Sequence, residues 1–571
     1  MRELVADLFR DALAAAVEAG EVALAELPEP HIERPRDPAH GDWATNVAMA
    51  TAKAAGMNPR TLAELLAARV ADHPDVAAVE VAGPGFINLR LSASALQRVL
   101  TEVRSAGDAY GALDIGAGQR VQVEFVSANP VGPMHVGHGR WAALGDSMAR
   151  ILTHAGYEVE REFYINDQGV QMDTFAKSVA ARYLELAGVE GVEFPEDGYR
   201  GAYITEIARE ILAEEGEAWA SAVPAVRESH FKEKAYVQVL EHLKRVLSGM
   251  GVEFDVWFSE RTLHELAPES GANAIERAIE RLREAGHIYE HEGATWFRST
   301  AFSDDKDRVL KKADGSYTYF AADIAYHADK YDRGFDRVID IWGADHHGYV
   351  KRMEAAVAAL GHEGKITLVI GQLVNLFSGG EVVRMSKRTG EMVTFEDLLG
   401  EVGPDAARYF FLRRSTDQPL DFDIALAKEQ SSENPVYYVQ YAHARICAIL
   451  RKAAGADTSD TGVDIDATAR DLVRVDAPLG LLDSDAELTL MRKLAEWPEV
   501  VEVAARQLAP HKLTRHAEDL AQTFHQFYTV CRVVDPDNAE LTAARLYAVD
   551  ATRIALATVL GLIGVSAPER M

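Results

Sequence analysis

The sequence predicts a multidomain α/β protein: a parallel sheet split by a helical insertion, with a small α+β domain before it and an all-α bundle after it. The chain has 571 residues, enough for roughly three to five domains of ordinary size. Strand and helix patterns alternate in two separated stretches, near residues 121–165 and 338–370. Beyond residue 434 almost every segment has helical periodicity, which is typical of a bundle.

The first 110 residues are expected to form the small α+β domain. Helical patterns at 4–27 and 61–70 precede a Gly-Pro-Gly break at 83–85, and an alternating strand follows at 86–91. A unit of this size has room for a hydrophobic core of its own.

The sheet domain is predicted from five segments. A strand with alternating apolar residues at 121–125, a helix at 141–152 and a strand at 159–165 make the repeating unit of a parallel sheet. Strand patterns return at 338–342 and 366–370, after a stretch of charged helices. The predicted divisions are the N-terminal domain 1–110, the first half of the sheet domain 111–190, the helical insertion 191–300, the second half 301–400, a junction 401–433 and the helical bundle 434–571.

Composition and charge narrow the class of protein. The net charge of −30 argues against a broad nucleic-acid surface and leaves room only for a narrow basic stripe. The first helical stretch is charged along its length, so neither a signal peptide nor a membrane anchor is expected there. With only Cys447 and Cys531, no disulfide framework and no structural zinc site are expected. These features fit a cytoplasmic protein with no membrane partner, and we expect a monomer.

The strongest motif lies between the first strand and first helix of the sheet domain, where ligands bind in open parallel sheets. It reads SANPVGPMHVGHGR from Ser127 to Arg140. His135 and His138 share a face on the opening turn of a helix, where free backbone N–H groups and the positive dipole end favour phosphate. Gly137 lacks a Cβ and permits a flat ring to approach the backbone. The alternative is an incidental histidine pair that caps a helix.

A second motif is a basic segment flanked by glycines. Arg384, Met385, Ser386 and Lys387 lie between Gly379-Gly380 and Gly390, which predicts a mobile loop. Transfer of a nucleotidyl group needs positioning and compensation of phosphate charge, and cations on a hinged loop suit that task. The alternative is an ordinary solvated loop.

Together the two motifs resemble the "HIGH" and "KMSKS" signatures of class I aminoacyl-tRNA synthetases, with Arg384 where the second signature has Lys. Further stretches resemble the arginyl-tRNA synthetases in particular. They are EFVSAN at 124–129, FYINDQG at 163–169, YFAAD at 319–323, GADHH at 343–347, YVQYAHAR at 438–445, and GDWATN at 41–46 with GPGFIN at 83–88 in the N-terminal domain. The resemblance implies a Rossmann-type catalytic domain that joins arginine to the 3′ end of tRNA(Arg), using ATP with Mg²⁺.

The resemblance also implies roles for individual residues. Catalysis is assigned to His135, His138 and Lys387, and ATP binding to His135, Gly137, His138, Arg384, Met385, Ser386 and Lys387. Arginine binding is assigned to Glu124, Tyr319 and Asp323 at the guanidinium and to Ser127, Asn129 and His346 at the α-amino and carboxylate end. A planar guanidinium fork is best held by carboxylates and an aromatic face, which agrees with the first three. No metal site formed by protein side chains is implied.

Contacts to tRNA are expected at both ends of the chain. Tyr437, Tyr441, Arg445 and Met571 are assigned to the bundle, and Phe86 and Asn88 to the tRNA elbow. The neighbouring Gln440 and His443 are interpreted as hydrogen-bonding partners of unpaired bases. Arginyl enzymes are among the few of their class that need tRNA to activate their amino acid, so the same is expected here.

Several alternatives remain open from the sequence. Tyr319 and Asp323 would also suit a surface pair on an ordinary helix, and aromatic residues at helical spacing are more often core. Two other functions compete with a ligase. A nucleotidylyltransferase would share only the phosphate-binding motifs, and a silent tRNA-binding relative would lack adenylation.

Overall fold

The computed structural model describes residues 1–35, 37–269, 271–383, 393–456 and 464–571. The assignments to Arg384, Met385, Ser386 and Lys387 therefore lie outside the described residues. In the described part of the chain, no helix is both long enough and apolar enough to cross a lipid bilayer.

The N-terminal domain is a four-stranded antiparallel sheet with four helices. Its elements are α1 (Arg2–Glu18), β1 (Ile32–Glu33), β2 (Trp43–Thr45), α2 (Val47–Ala55), α3 (Pro59–Ala71), β3 (Val76–Ala82), β4 (Phe86–Leu91) and α4 (Ala93–Ala106). The predicted strand at 86–91 is confirmed as β4, whose Ile87, Leu89 and Leu91 are buried. The predicted helix at 4–27 ends at Glu18, because Gly20 adopts the left-handed conformation that terminates helices.

The sheet domain contains a parallel sheet of five strands in the order β12-β11-β5-β6-β7. The strands are β5 (Arg120–Glu124), β6 (Glu158–Ile165), β7 (Val256–Ser259), β11 (Arg337–Gly343) and β12 (Ile366–Gly371), and the helices on its faces include α5 (Val136–His154), α6 (Val170–Leu186), α11 (Tyr319–Asp332) and α12 (Val350–Ala359). The four predicted strands and the helix at 141–152 are confirmed. The strand order reverses between β5 and β11, so a crevice opens at the carboxyl ends of these two strands.

The insertion is not helical throughout. It comprises α7 (Ala202–Glu215), α8 (Pro224–Gly249), β7, α9 (Arg261–His264), α10 (Ala274–Glu284), β8 (Ile288–His291) and β9 (Ala294–Phe297), and β10 (Arg308–Lys311) follows. Strand β7 joins the parallel sheet, and β8, β9 and β10 form an antiparallel sheet. These strands have four residues each, too few for a clear period-two pattern. The turn between β8 and β9 places Glu292 and Gly293 at positive φ, which a two-residue hairpin requires.

A small three-stranded sheet forms the junction with the bundle. It contains β13 (Val374–Ser378), β14 (Glu381–Val382) and β15 (Leu420–Asp423), with α13 (Phe395–Val402), α14 (Pro404–Leu412) and α15 (Ile424–Lys428) around it. The described part of residues 434–571 contains only helices among its regular elements. They are α16 (Pro435–Ala453), α17 (Ile465–Leu472), α18 (Asp485–Ala495), α19 (Trp497–Gln507), α20 (His511–Val530) and α21 (Ala539–Leu562).

The domains share one core. A single buried apolar cluster runs through the N-terminal domain, the parallel sheet and the bundle, and a second one packs around α10, α11 and α12. Among the described residues, four ion pairs fasten the N-terminal region to the bundle: Arg2 to Glu502 at 2.6 Å, Arg34 to Glu499 at 2.6 Å, Asp42 to Arg492 at 2.7 Å, and Arg104 to Asp550 at 2.9 Å. The N-terminal domain and the bundle therefore contact each other as well as the parallel sheet.

Candidate active site

The predicted histidine pair lies at the N-terminus of α5, at the carboxyl end of the central strand. The rings of His135 and His138 stack 3.8 Å apart, and His138 Nδ1 accepts the His135 backbone N–H at 3.2 Å. Burial lowers the pKa of His138 to about 3 and also lowers the pKa of His135. Both rings are therefore neutral at physiological pH, so each can donate one N–H and neither is a cation.

An indole forms the wall beside the histidines. The Trp141 ring stands edge-on to His135 and His138, with centroids 5.9 and 5.3 Å away. A Cβ on Gly371 would collide with this indole, and one on Gly343 would lie 3.2 Å from it. The glycines that end β11 and β12 thus make room for Trp141. The sequence reasoning missed this residue, although a glycine at the end of each strand was a usable signal.

The surroundings of Gly137 differ in detail from those expected from the sequence. A flat ring does lie against it, but the ring belongs to His135, whose Cε1 would be 2.9 Å from a Cβ at this position. Gly137 therefore permits the histidine stack in this structure. Its assignment to ATP binding stays a prediction.

The segment after the basic motif is fixed beside the histidines. Thr394 forms an antiparallel bridge with His135, and the Phe395 N–H donates to the Met134 carbonyl at 2.9 Å. On the other side of the motif, the Val383 N–H donates to the Leu376 carbonyl at 2.9 Å. Residues 384–387 precede Thr394, which contacts the histidine pair, by seven to ten positions in the sequence.

The predicted guanidinium residues on α11 face one region. Asp323 accepts a hydrogen bond from the Tyr349 hydroxyl at 2.5 Å. Burial raises the pKa of Asp323 above its ordinary value. Tyr319 begins the helix and is 73% exposed, with its hydroxyl 3.9 Å from where a Cβ on Gly169 would lie. The role of Tyr319 stays a prediction.

Glu260 is a site residue that the sequence reasoning missed. It follows β7, the strand that was not predicted, and it is 5% exposed. Burial, followed by the charges of Asp323 and Asp167, raises the pKa of Glu260 to about 7. Asp167 is compensated by Arg261, 3.5 Å away. Within the described ranges, Glu260 and Asp323 form no ion pair with a lysine or an arginine, so their charges suit a cationic ligand.

Glu124 has a different environment from the expected one. Its Oε2 lies 2.5 Å from the Lys330 Nζ, and its Oε1 accepts a hydrogen bond from the Ser127 hydroxyl at 2.8 Å. Both carboxylate oxygens therefore already have partners inside the protein, and the assignment of Glu124 to arginine binding stays a prediction. Lys330 also contacts Asp340 at 2.9 Å. The sequence reasoning missed both, although Asp340 interrupts an otherwise apolar stretch of β11.

The remaining predicted arginine-site residues lie near the same crevice. Asn129 donates its side-chain amide to Gln171, on the first turn of α6. His346 lies on the turn after β11, where it is half exposed and its ring is 5.9 Å from that of Trp342. These contacts leave both side chains at the mouth of the crevice. Their roles stay predictions.

The bundle presents an aromatic and cationic cluster on α16. The rings of Tyr437 and Tyr441 are parallel, with centroids 6.1 Å apart, and Arg445 donates to the Tyr441 hydroxyl at 2.7 Å. Arg445 also lies over the Tyr528 ring, 5.1 Å from its centroid. All four side chains retain access to solvent. Such a surface suits stacking by unpaired bases.

Two neighbouring residues have structural partners instead. Gln440 and His443 are buried; Gln440 donates to the Ser566 carbonyl at 3.0 Å, and His443 Nδ1 lies 2.9 Å from the Pro568 carbonyl. Their interpretation as base contacts is therefore corrected: they hold the C-terminal segment against α16. Its last residue, Met571, is 51% exposed.

The predicted elbow residues differ in exposure. Phe86 is 36% exposed at the edge of β4, whereas Asn88 is 7% exposed and lies between its neighbours in the sheet. The structure thus offers Phe86 as a surface residue and not Asn88.

Comparisons with known proteins agree with this geometry. The chain matches three family models: "Arginyl tRNA synthetase N terminal domain" over residues 3–91, "tRNA synthetases class I (R), catalytic domain" over 100–418, and "DALR anticodon binding domain" over 439–571. The central match covers more than half of the chain. With the strand-end histidine pair, it defines a class I aminoacyl-tRNA synthetase.

Individual relatives narrow the class. The arginine–tRNA ligase of Heliobacterium modesticaldum is 50% identical over 573 residues, covering 100% of this chain and 99% of that protein. The arginine–tRNA ligase of Bacillus subtilis is 46% identical over 572 residues, with the same coverage. The Thermus thermophilus arginyl-tRNA synthetase structure has a TM-score of 0.71 at 23% identity, covers 100% of both chains and supports the fold. The chain belongs to the arginine–tRNA ligase family.

Family membership disfavours the alternative of a nucleotidylyltransferase that shares only the phosphate-binding motifs. It also makes ATP a substrate. In the described ranges, no three His, Cys, Asp or Glu side chains converge in a way that would hold a metal ion.

Proposed function

We propose that the chain activates L-arginine with ATP to arginyl-adenylate and transfers the arginyl group to the 3′ end of tRNA(Arg). The observation that carries the choice of amino acid is the pair of buried carboxyl groups, Glu260 and Asp323. The charge of Asp323 raises the pKa of Glu260, and neither carboxyl group forms an ion pair with a lysine or an arginine in the described part of the chain. A guanidinium supplies the missing charge and enough N–H donors for both carboxylates.

The phosphate chemistry is assigned to the crevice above β5. The arginine carboxylate oxygen attacks the α-phosphorus in line, and the bond from that phosphorus to the bridging oxygen of pyrophosphate breaks. His135 and His138, as neutral donors, hydrogen-bond the oxygens that gain charge. A terminal ribose hydroxyl of tRNA then attacks the arginyl carbonyl, and AMP leaves. Neither step needs a protein nucleophile.

Lys387 is proposed to stabilise the departing pyrophosphate. Support comes from the anchoring of Thr394 next to His135, which limits how far the basic motif can lie from the reacting phosphate. Arg384, Met385 and Ser386 are proposed to contribute to the same ATP-binding segment. Mg²⁺ is proposed to arrive with ATP and to be held mainly by the triphosphate oxygens.

The two ends of arginine are proposed to bind different elements. Asp323 and Glu260 hold the guanidinium, and Tyr319 covers it. Ser127, Asn129 and His346 hold the α-amino and carboxylate end. A lysine ammonium is compact and cannot satisfy two carboxylates placed for a planar fork.

We propose that tRNA binds a cluster of four side chains, which we call the α16 cluster. It consists of Tyr437, Tyr441 and Arg445 on α16 and Tyr528 on α20. Stacked aromatic rings with a neighbouring guanidinium suit splayed bases. Phe86 is proposed as a contact to the tRNA elbow.

The test is ATP–pyrophosphate exchange with each of the twenty amino acids, run with and without tRNA. Of the twenty amino acids, only arginine is expected to support exchange. Exchange driven by another amino acid would overturn the assignment, and an absence of exchange under every condition would favour a silent tRNA-binding relative.

A further inference from the structure

We propose that Lys330 is a positioning residue that fixes the distance between the two ends of the arginine site. This inference rests on the proposed function, because it takes Ser127 and Asp323 to bind opposite ends of the substrate. Lys330 lies on α11 and has no exposed side-chain surface, so it acts through its neighbours.

One arm of contacts leads from Lys330 to the α-amino end. Lys330 Nζ lies 2.5 Å from one oxygen of Glu124, whose other oxygen accepts the Ser127 hydroxyl at 2.8 Å. The Ser127 oxygen in turn accepts the Tyr164 backbone N–H at 3.2 Å. Two hydrogen bonds thus connect the ammonium to the loop after β5, and a third connects that loop to β6.

That loop needs such a restraint. Val126 and Ser127 both adopt positive φ, at 71° and 40°, although neither is glycine. Left-handed backbone is unfavourable for residues that carry a Cβ, so this conformation persists only when surrounding contacts hold it. The hydrogen bond from Ser127 to Glu124 is one of these contacts, and Lys330 determines where the Glu124 carboxylate lies.

The other arm leads to the guanidinium end. Lys330 Nζ lies 2.9 Å from one oxygen of Asp340, and the other oxygen of Asp340 is 2.8 Å from His327 Nε2. His327 Nδ1 lies 2.7 Å from the backbone carbonyl of Asp323. The same ammonium therefore restrains the helix turn that carries the guanidinium carboxylate.

The charge on Lys330 is what joins the two arms. Burial lowers the pKa of Lys330, but attraction to Asp340 and Glu124 outweighs burial and raises that pKa above its ordinary value. The Tyr326 ring faces the ammonium, 4.3 Å from its centroid. A neutral side chain would leave Glu124 and Asp340 as buried carboxylates without their shared cation, and both would move.

The experiment compares Lys330→Met with Arg451→Met in the full-length chain. Arg451 is also a fully buried cation, but it pairs with Glu569 in the bundle, so it controls for loss of a buried charge. Aminoacylation is measured with tRNA while arginine and ATP are varied in turn. Lys330→Met is expected to raise the KM for arginine by about a hundredfold and to leave the KM for ATP near the parent value, because small displacements of binding groups have effects of that size.

A second readout concerns substrate length. If Lys330 sets the distance between the two ends, Lys330→Met should also discriminate less between arginine and homoarginine, which is one methylene longer. Arg451→Met should discriminate as the parent does. Equal rises in the KM for arginine and for ATP, or unchanged discrimination in Lys330→Met, would overturn the proposal.

Two further variants keep the test decisive. If Lys330→Met does not fold, Glu124→Gln/Lys330→Met removes both charges of the pair together and is expected to give the same two results. Asp323→Asn is measured alongside. A normal KM for arginine in Asp323→Asn would overturn the proposed site and this inference together, whereas a raised KM there with no effect in the Lys330 variants would overturn this inference alone.

Discussion

The carboxyl groups of Glu260 and Asp323 lie close enough for the charge of Asp323 to raise the pKa of Glu260, although β7 and α11 carry them from distant parts of the chain. Burial is the larger cause, and the resulting pKa is about 7. Glu260 therefore changes charge within the physiological range, and its charge matters to any cation that binds beside it.

Arginine affinity is predicted to depend on pH through Glu260. As pH rises through about 7, Glu260 ionises, so the KM for arginine should fall and then level off, while the KM for ATP changes little. Glu260→Gln should weaken arginine binding and remove this dependence. The KM for arginine should be measured from about pH 6 to about pH 8, on both sides of this pKa. A KM that does not change over that range would contradict the assignment.

The raised pKa of Glu260 predicts the opposite pH dependence for the stability of the ligand-free protein. The folded-state pKa of about 7 is above the ordinary 4.5, so between these values the folded protein binds more protons than the unfolded chain. The free energy of unfolding should therefore fall as pH rises through this window. Denaturant melts of the parent and of Glu260→Gln measure the free energy of unfolding of each protein. The parent should lose stability relative to Glu260→Gln between pH 4.5 and pH 7.

Asp323→Asn is predicted to weaken arginine binding far more than ATP binding. A buried guanidinium without its charged partner should lose roughly 2–5 kcal/mol of binding free energy. Asp329→Asn is the matched control, since Asp329 lies on the same helix and pairs with Arg333. Calorimetry that gives equal arginine affinity for Asp323→Asn and its control would place the guanidinium pocket elsewhere.

Lys387→Ala is predicted to slow adenylate formation by about 10²–10³-fold, the effect of losing one group that stabilises transition-state charge. Arginine affinity should be nearly unchanged, because the contact is made chiefly in the transition state. Lys428→Ala serves as the control, since Lys428 is half exposed and pairs with Glu401. An ordinary single-turnover rate for Lys387→Ala would remove this residue from the mechanism.

Affinity for tRNA is predicted to fall steeply with salt despite the net charge of −30, because neutralised phosphates release counterions. Tyr441→Ala should cost about 1–3 kcal/mol of binding, the usual value for one stacked base. Arg474→Ala is the control, because Arg474 is an exposed cation of the same bundle that pairs with Asp476. A flat salt profile would mean that no basic stripe contacts the tRNA.

Local sequence patterns predicted most strands of the parallel sheet. The site was predicted less completely, because it depends on contacts between residues that are far apart in the sequence. Strands β5, β6, β11 and β12 have enough residues for their periodicity to be read. Strand β7 has four half-buried residues, so Glu260 behind it was missed. Lys330 and Glu124 are 206 positions apart and meet only in the folded sheet.

A sequence pattern also could not distinguish buried from exposed polar residues on α16. Gln440 and His443 have the helical spacing of the α16 cluster, but they face the C-terminal segment. Which face of a helix packs inward depends on its partner, and that partner lies more than a hundred residues away.

Arg408 connects the bundle to the helix that carries the histidine pair. It is fully buried, pairs with Asp146 on α5, and donates to the Ile563 carbonyl at the end of α21 at 3.0 Å. A Cβ on Gly564 would collide with its guanidinium. Contacts of tRNA with the bundle therefore have a direct physical connection to α5.

The last prediction is that ATP–pyrophosphate exchange is near background with arginine alone and appears when tRNA(Arg) is added. This requires tRNA to bind the competent site better than the idle one, with contacts on the bundle supplying the difference. Deleting residues 434–571 should abolish the stimulation. That deletion also removes the Ile563 carbonyl and exposes core residues of the catalytic domain, so a point variant tests the coupling more sharply.

Gly564→Ala should displace Arg408 and reduce the stimulation by tRNA, while tRNA affinity stays close to that of the parent. Gly455→Ala is the matched control: Gly455 has a similar positive φ of 73°, against 68° at Gly564, but a Cβ there meets nothing within 4 Å. The control therefore has the same backbone strain without the contact to Arg408. Equal stimulation in the two variants would show that the junction at Arg408 does not carry the coupling. Strong exchange without tRNA in the parent would remove the coupling itself, yet it would leave the assignment to arginine in place, since that assignment depends on which amino acid supports exchange.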